Sequence, residues 1–296
     1  MKFDLSFHGL ATLIDNIRFL HMFPNISLVE YCSSLWICER VRRSKRHKTM
    51  TWLESFFICF VGEFGGTILA SIIMGEPVRR LLVDPVILSL VMAWLTVFWT
   101  PFDWGLRIYQ FPAIHLICSF FHLLKNSYAL TFGGVDRALK SDPTLSYTSF
   151  SLLLVVGTIA GCGGRVLMSY LDFAPEDCAT DPDLKEEGSE AETSKLPQDL
   201  IRPTFTVKCS FFATILYIAL LDPFHMIRGH VFVNEVTCHF LIFLFIAFSS
   251  LLKALGWNIF DSVSFLFHGV TQIPREIPVF AQRWSFEEIQ EKVKEE

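Results

Sequence analysis

The sequence predicts an all-α integral membrane protein: seven transmembrane helices, formed as two inverted three-helix repeats plus a seventh helix. Three observations carry that expectation. Of 296 residues, 52% are hydrophobic, Phe alone supplies 30, only 19% are charged, and the mean hydropathy is +0.43. Seven apolar runs follow one another, each close to the roughly 20 helical residues that a ~30 Å hydrocarbon core requires. The first three runs resemble the next three, in order.

The runs are bounded by charge, proline and glycine. The first covers about 20–38 and ends at the basic block Glu39–Lys48. The second covers about 53–75, before Glu76-Pro77, and the third about 85–102, closing on Trp99-Thr100-Pro101-Phe102-Asp103. The fourth, about 108–131, ends at Gly133-Gly134, and the fifth covers about 147–171. The sixth, about 203–221, ends at Asp222-Pro223, and the seventh, about 231–256, at Gly256. None alternates with period two, which argues against a β-barrel. The division expected is 1–105 for the N-terminal segment and first repeat, 106–230 for the second repeat, 231–256 for the seventh helix and 257–296 for a cytosolic tail.

Charge is concentrated. Residues 172–200 hold ten acids against Lys185 and Lys195, a net of −8, so the remainder of this −5 chain is +3. That distribution excludes an ordinary soluble enzyme, a nucleic-acid binder and a disordered chain. Asp4, His8, Asp15 and Arg18 interrupt the first twenty residues, so no cleavable signal peptide is expected. No CxxC pair exists, and seven of the eight Cys lie in or beside apolar runs, where they read as buried thiols. The dense block Arg40, Arg42, Arg43, Lys45, Arg46 and Lys48 is hard to translocate, which places it in the cytosol. The N-terminus is then lumenal, and the acidic linker and the C-terminus are cytosolic.

The internal repeat is read from three matches. Gly65-Gly66, Leu69, Ser71 and Pro77 recur at identical spacing as Gly163-Gly164, Leu167, Ser169 and Pro175. Phe23-Pro24 is echoed by Phe111-Pro112, and Pro101-Phe102 by Pro223-Phe224. A repeat of three spans must re-enter from the opposite side, giving a twofold axis in the membrane plane, an arrangement that places polar pathways between the repeats. The glycine pairs are expected to kink their helices and line that pathway, with close packing as the alternative. Glu63 and Arg165 flank them. Ionisable residues inside spans cost roughly 2.5–3.5 kcal/mol each and need a reason. Glu63 is assigned to the pathway, and Lys125, Arg165 and Lys208 are candidates for holding a lipid phosphate or setting the local field. Glu30, Glu235 and His239 read as polar helix contacts, and His115 and His122 as packed side chains. No HExxH, GxSxG, Walker or GxGxxG motif occurs, so no enzymatic activity is expected.

Several motifs together resemble the trimeric intracellular cation (TRIC) channel family. Phe64-Gly65-Gly66-Thr67-Ile68-Leu69 with Gly75-Glu76-Pro77 is similar to its second span, and Met22-Phe23-Pro24 to its first. Thr100-Pro101-Phe102-Asp103 is similar to the end of its third span, Gly133-Gly134-Val135 to the loop after its fourth, and Gly161-Cys162-Gly163-Gly164 to its fifth. Where the family has Lys-Glu-Val in span four followed by Arg, this chain has Phe121 at the Lys and Lys125 at the Arg. Ala160 stands where an Arg usually precedes the span-five glycines.

The resemblance implies a homotrimer with a pore in each protomer, passing potassium ions across the endoplasmic or sarcoplasmic reticulum membrane as counter-ion during calcium release. It also implies a bound phosphatidylinositol 4,5-bisphosphate near the glycine pairs; no other cofactor and no metal is expected. Inverted repeats also occur in secondary transporters, and a non-conducting membrane scaffold is the third possibility kept.

Overall fold

The computed structural model describes residues 9, 11, 12, 14, 16, 21–22, 26–44, 49–78, 84–141, 149–171, 204–221, 235–257 and 259–260. The acidic linker 172–200 and the tail beyond residue 260 lie outside the described residues. Contacts divide the chain into residues 1–250 and residues 251–296. In the second unit the described residues complete the last helical turn, which closes on Gly256 at φ 85°.

Each apolar run has a helix as its counterpart. A two-residue antiparallel pair, β1 (His21–Met22) and β2 (Ile26–Ser27), leads into α1 (Leu28–Arg43). Then come α2 (Trp52–Met74), α3 (Asp84–Phe98), a 3-10 turn at Pro101–Asp103, α4 (Trp104–Tyr109) and α5 (Pro112–Leu130). A π-helical turn at Thr131–Val135 joins α5 to α6 (Asp136–Ser141), and α7 (Phe150–Tyr170), α8 (Phe205–Leu221) and α9 (Glu235–Ala254) follow. Three of these, α2, α7 and α9, are long and apolar enough to cross a bilayer alone; α8 is shorter, and α3 continues into α4 through a 92° bend. The described Cys residues are buried free thiols.

Local chemistry explains where the helices depart from the sequence expectation. The first run was expected over 20–38, ending at the basic block, but α1 starts at Leu28 and runs on to Arg43. Arg40, Arg42 and Arg43 occupy its last turn, where positive charge favours the helix dipole. Each also has a partner: Arg40 stacks over Trp36, Arg42 donates to the Val97 carbonyl and pairs with Asp103, and Arg43 pairs with Glu39. Likewise Gly133-Gly134 does not end the fourth run. The wider π turn carries the helix past them, and a Cβ on Gly134 would lie 2.8 Å from Gly157 Cα, so this turn packs directly on α7.

The expected hinge at Gly65, Gly66, Gly163 and Gly164 is corrected by the structure. Helices α2 and α7 run through both glycine pairs without interruption. A Cβ on Gly65 would stand 3.2 Å from Gly164 Cα, and one on Gly163 2.8 Å from Gly66 Cα. Backbone therefore meets backbone at the pairs, with the Leu167, Ile159 and Leu69 side chains packed beside them, which is the small-residue packing that membrane helices use. A continuous ladder also leaves no freed carbonyls for a pathway to need. The pairing is reciprocal: Gly65 meets Gly164 as Gly66 meets Gly163. Such a pattern is that of an antiparallel helix pair.

Candidate functional site

Three helices converge on one buried ion cluster. From α1, Glu30, Ser33 and Ser34 share a face, being three and four residues apart. From α2 comes Glu63, and from α5 come His122 and Lys125, again one turn apart. Glu30, Glu63 and Lys125 are each less than a tenth exposed. Lys125 Nζ lies 2.8 Å from Glu30 Oε2 and forms a second ion pair with Glu63. Ser34 donates to Glu63 Oε1 at 3.1 Å and Ser33 to Glu63 Oε2 at 3.4 Å. Ser33 Oγ is also 3.1 Å from His122 Nδ1, and the His122 ring stacks on Trp36 at 3.7 Å. Lys125 sits 5.0 Å over the Phe64 ring.

Two carboxylates face one ammonium, and Ser33 and Ser34 add hydrogen bonds to Glu63. A charge removed from water needs a partner within a few ångströms, and this cluster meets that need from three helices at once.

The sequence expectations divide accordingly. Glu63 and Lys125 are brought together although 62 residues separate them. Lys125, expected to hold a lipid phosphate, is paired here with Glu30 and Glu63. Arg165 lies on α7 and donates to Thr206 Oγ1 on α8 at 2.8 Å; Lys208 is half-buried one turn from the start of α8. His115 is exposed and meets Tyr109 edge-on, apart from the stacked His122.

Sequence reasoning did not assign Glu30, Ser33, Ser34 or Trp36 to this site. The Glu30-x-x-Ser33-Ser34 spacing inside an apolar run was the signal available. A further anchor also went unassigned: Arg137 donates to Glu76 Oε2 at 2.6 Å, Ser71 Oγ at 2.8 Å and the Pro77 carbonyl at 2.9 Å, tying α6 to the end of α2.

The long apolar helices, packed through glycine beside a buried ion cluster, define a multi-pass, all-helical integral membrane protein. The TRIC channel family model matches residues 39–181, just under half of the chain, and with the relatives and structures below this supports a TRIC channel family member. Curated relatives include trimeric intracellular cation channel type 1B.1 of Caenorhabditis elegans, 30% identical over 128 residues, covering 42% of this chain and 39% of that protein. Type 1B.2 of the same organism is 24% identical over 221 residues, covering 70% of this chain and 61% of that protein. The chain thus spans less than two thirds of the length of either relative.

Among solved structures, a C. elegans trimeric intracellular cation channel without Ca2+ is similar, with a TM-score of 0.59 and 18% identity, over 85% of this chain and 98% of that one. The same channel type with bound Ca2+ has a TM-score of 0.59 and 20% identity, over 83% and 97%. A structure from work on TRIC counter-ion channels in calcium release has a TM-score of 0.58 and 17% identity, over 82% and 96%. At these identities the likeness establishes the fold.

Proposed function

We propose that this chain is a monovalent cation channel of an intracellular membrane, with its pathway inside each protomer of a homotrimer, carrying potassium as counter-ion during calcium release. The carrying observation is the buried Glu30–Lys125–Glu63 cluster. Its two carboxylates, set among apolar helices, attract a cation, and the nearby Lys125 ammonium keeps that attraction weak enough for release. Names of the relatives support cation conduction and a trimer. In this reading the membrane is that of the endoplasmic or sarcoplasmic reticulum, the N-terminus is lumenal and the C-terminus cytosolic. A phosphoinositide, expected as phosphatidylinositol 4,5-bisphosphate, is held by Arg165 and Lys208, whose side chains border the α7–α8 contact.

Planar-bilayer recording of the purified full chain in asymmetric potassium and sodium salts tests this. The expected current reverses at a cation equilibrium potential, does not saturate with concentration as a carrier does, and falls severalfold in a Glu30→Gln, Glu63→Gln double variant that still elutes as a trimer. Saturating flux coupled to protons would instead identify a secondary transporter. Absence of any flux would leave a scaffold.

A further inference from the structure

A second polar cluster lies apart from the ion cluster of α1, α2 and α5. Asp136 begins α6, Tyr217 lies on α8, and Glu235 and His239 stand one turn apart at the start of α9. Asp136 and His239 are each 4% exposed. The Tyr217 hydroxyl donates to Asp136 Oδ1 at 2.5 Å, which fixes the carboxylate. The second oxygen, Asp136 Oδ2, is fully buried and accepts no hydrogen bond. It points at His239 Nε2, 3.5 Å away, and Glu235 Oε1 is 4.0 Å from the same nitrogen. The His239 ring is stacked against Phe132 at 3.8 Å and Tyr217 at 5.4 Å, so its direction is set by packing.

The geometry points to a divalent-cation site of the zinc class, made by Asp136 Oδ2, His239 Nε2 and Glu235 Oε1. The three donor atoms lie within 4.8 Å of one another. Tetrahedral coordination with bonds of about 2.1 Å separates ligand atoms by about 3.4 Å, so the Asp136–His239 spacing already fits and Glu235 needs a small movement. Glu235 is exposed, which gives an ion its way in and leaves the fourth position to water. One imidazole and two carboxylates suit a borderline metal. Calcium takes six to eight oxygens and has no use for the nitrogen. The Tyr217 hydroxyl acts behind the ligand, holding Asp136 in orientation. A bound ion would clamp the start of α9 to the end of the α5–α6 helix, cross-linking positions about a hundred residues apart in the chain.

The test is a titration of the detergent-purified full chain with Co2+, followed by visible absorption, with Zn2+ and Ca2+ as competitors and trimer elution as the folding check. The expected result is saturable Co2+ binding at one ion per chain, displaced by Zn2+ and not by excess Ca2+. His239→Gln should abolish it, Glu235→Gln, at an exposed position that does not threaten folding, should weaken it at least tenfold, and Tyr217→Phe should weaken it by about 10–100-fold. Failure of the wild-type chain to bind saturably, displacement by Ca2+ as readily as by Zn2+, or unchanged affinity in Glu235→Gln would each overturn the assignment.

Discussion

Helix α2 is joined to its neighbours in two opposite ways. Toward α1 and α5 it offers Glu63, met by Lys125, Ser33 and Ser34; toward α7 it offers Gly62, Gly65 and Gly66, met by the Gly163 and Gly164 backbone and by the Leu167 and Met168 side chains. The first joint is chemically demanding and tolerant of small movements, because long side chains reach across it. The second uses apolar contact alone, and at Gly66, Gly163 and Gly164 an added atom would have to displace main chain. Sequence reasoning had assigned glycines and charges to a single pathway. The structure separates them, putting adaptable charge on one side of α2 and rigid contact on the other.

The largest effect is expected at the charged joint. Lys125→Met leaves Glu30 and Glu63 buried without their cation, which should cost about 3–5 kcal/mol. Thermal melting of the purified protein should fall steeply, or the trimer should fail to assemble. A variant as stable as wild type would mean that the cluster does not hold α1, α2 and α5 together.

The glycine joint should answer with an intermediate effect. A Cβ at Gly164 would sit 2.3 Å from the Gly62 carbonyl oxygen, so Gly164→Ala should cost about 1–3 kcal/mol by overpacking. The reciprocal contact adds a sharper expectation. Gly66 and Gly163 occupy the same touching point, so alanines at both should be worse than the sum of the two single variants, by about 0.5–3 kcal/mol in a double-mutant cycle. Strict additivity would show that the backbones do not meet there.

Glu63→Gln should have the smallest structural effect. It keeps an acceptor for Ser34 and leaves Glu30 and Lys125 as a neutral pair, so stability should change by about 1 kcal/mol, read as a melting shift of a few degrees. Its effect on cation current should be larger than on melting. The reverse ranking would make Glu63 a packing residue.

Most of the fold was legible because membrane helices announce themselves by composition. Boundaries failed where side chains overrule composition. Arg40, Arg42 and Arg43 look like a loop beside a span but extend α1, since each charge has a partner. Gly133-Gly134 looks like a stop but passes as a π turn, since Gly134 packs on Gly157. At the site, Glu63 and Lys125 stand out individually as buried charges, yet nothing local joins residues 62 apart. Asp136, Tyr217 and His239 were harder still. His239 stands out in sequence only as a polar helix contact and the other two not at all, and only the folding together of α6, α8 and α9 makes them a set.

The bend between α3 and α4 settles a further matter. Phe102 and Asp103 both sit at positive φ, 56° and 58°, a conformation that side chains resist, and Arg42 reaches across to hold it. Around this 92° turn Trp99, Phe102, Trp104 and Phe111 are all exposed, Phe102 at 83%. Aromatic rings favour the boundary between headgroups and hydrocarbon, so a bend edged with four of them is suited to that level of a membrane, as a float line is to the water it marks.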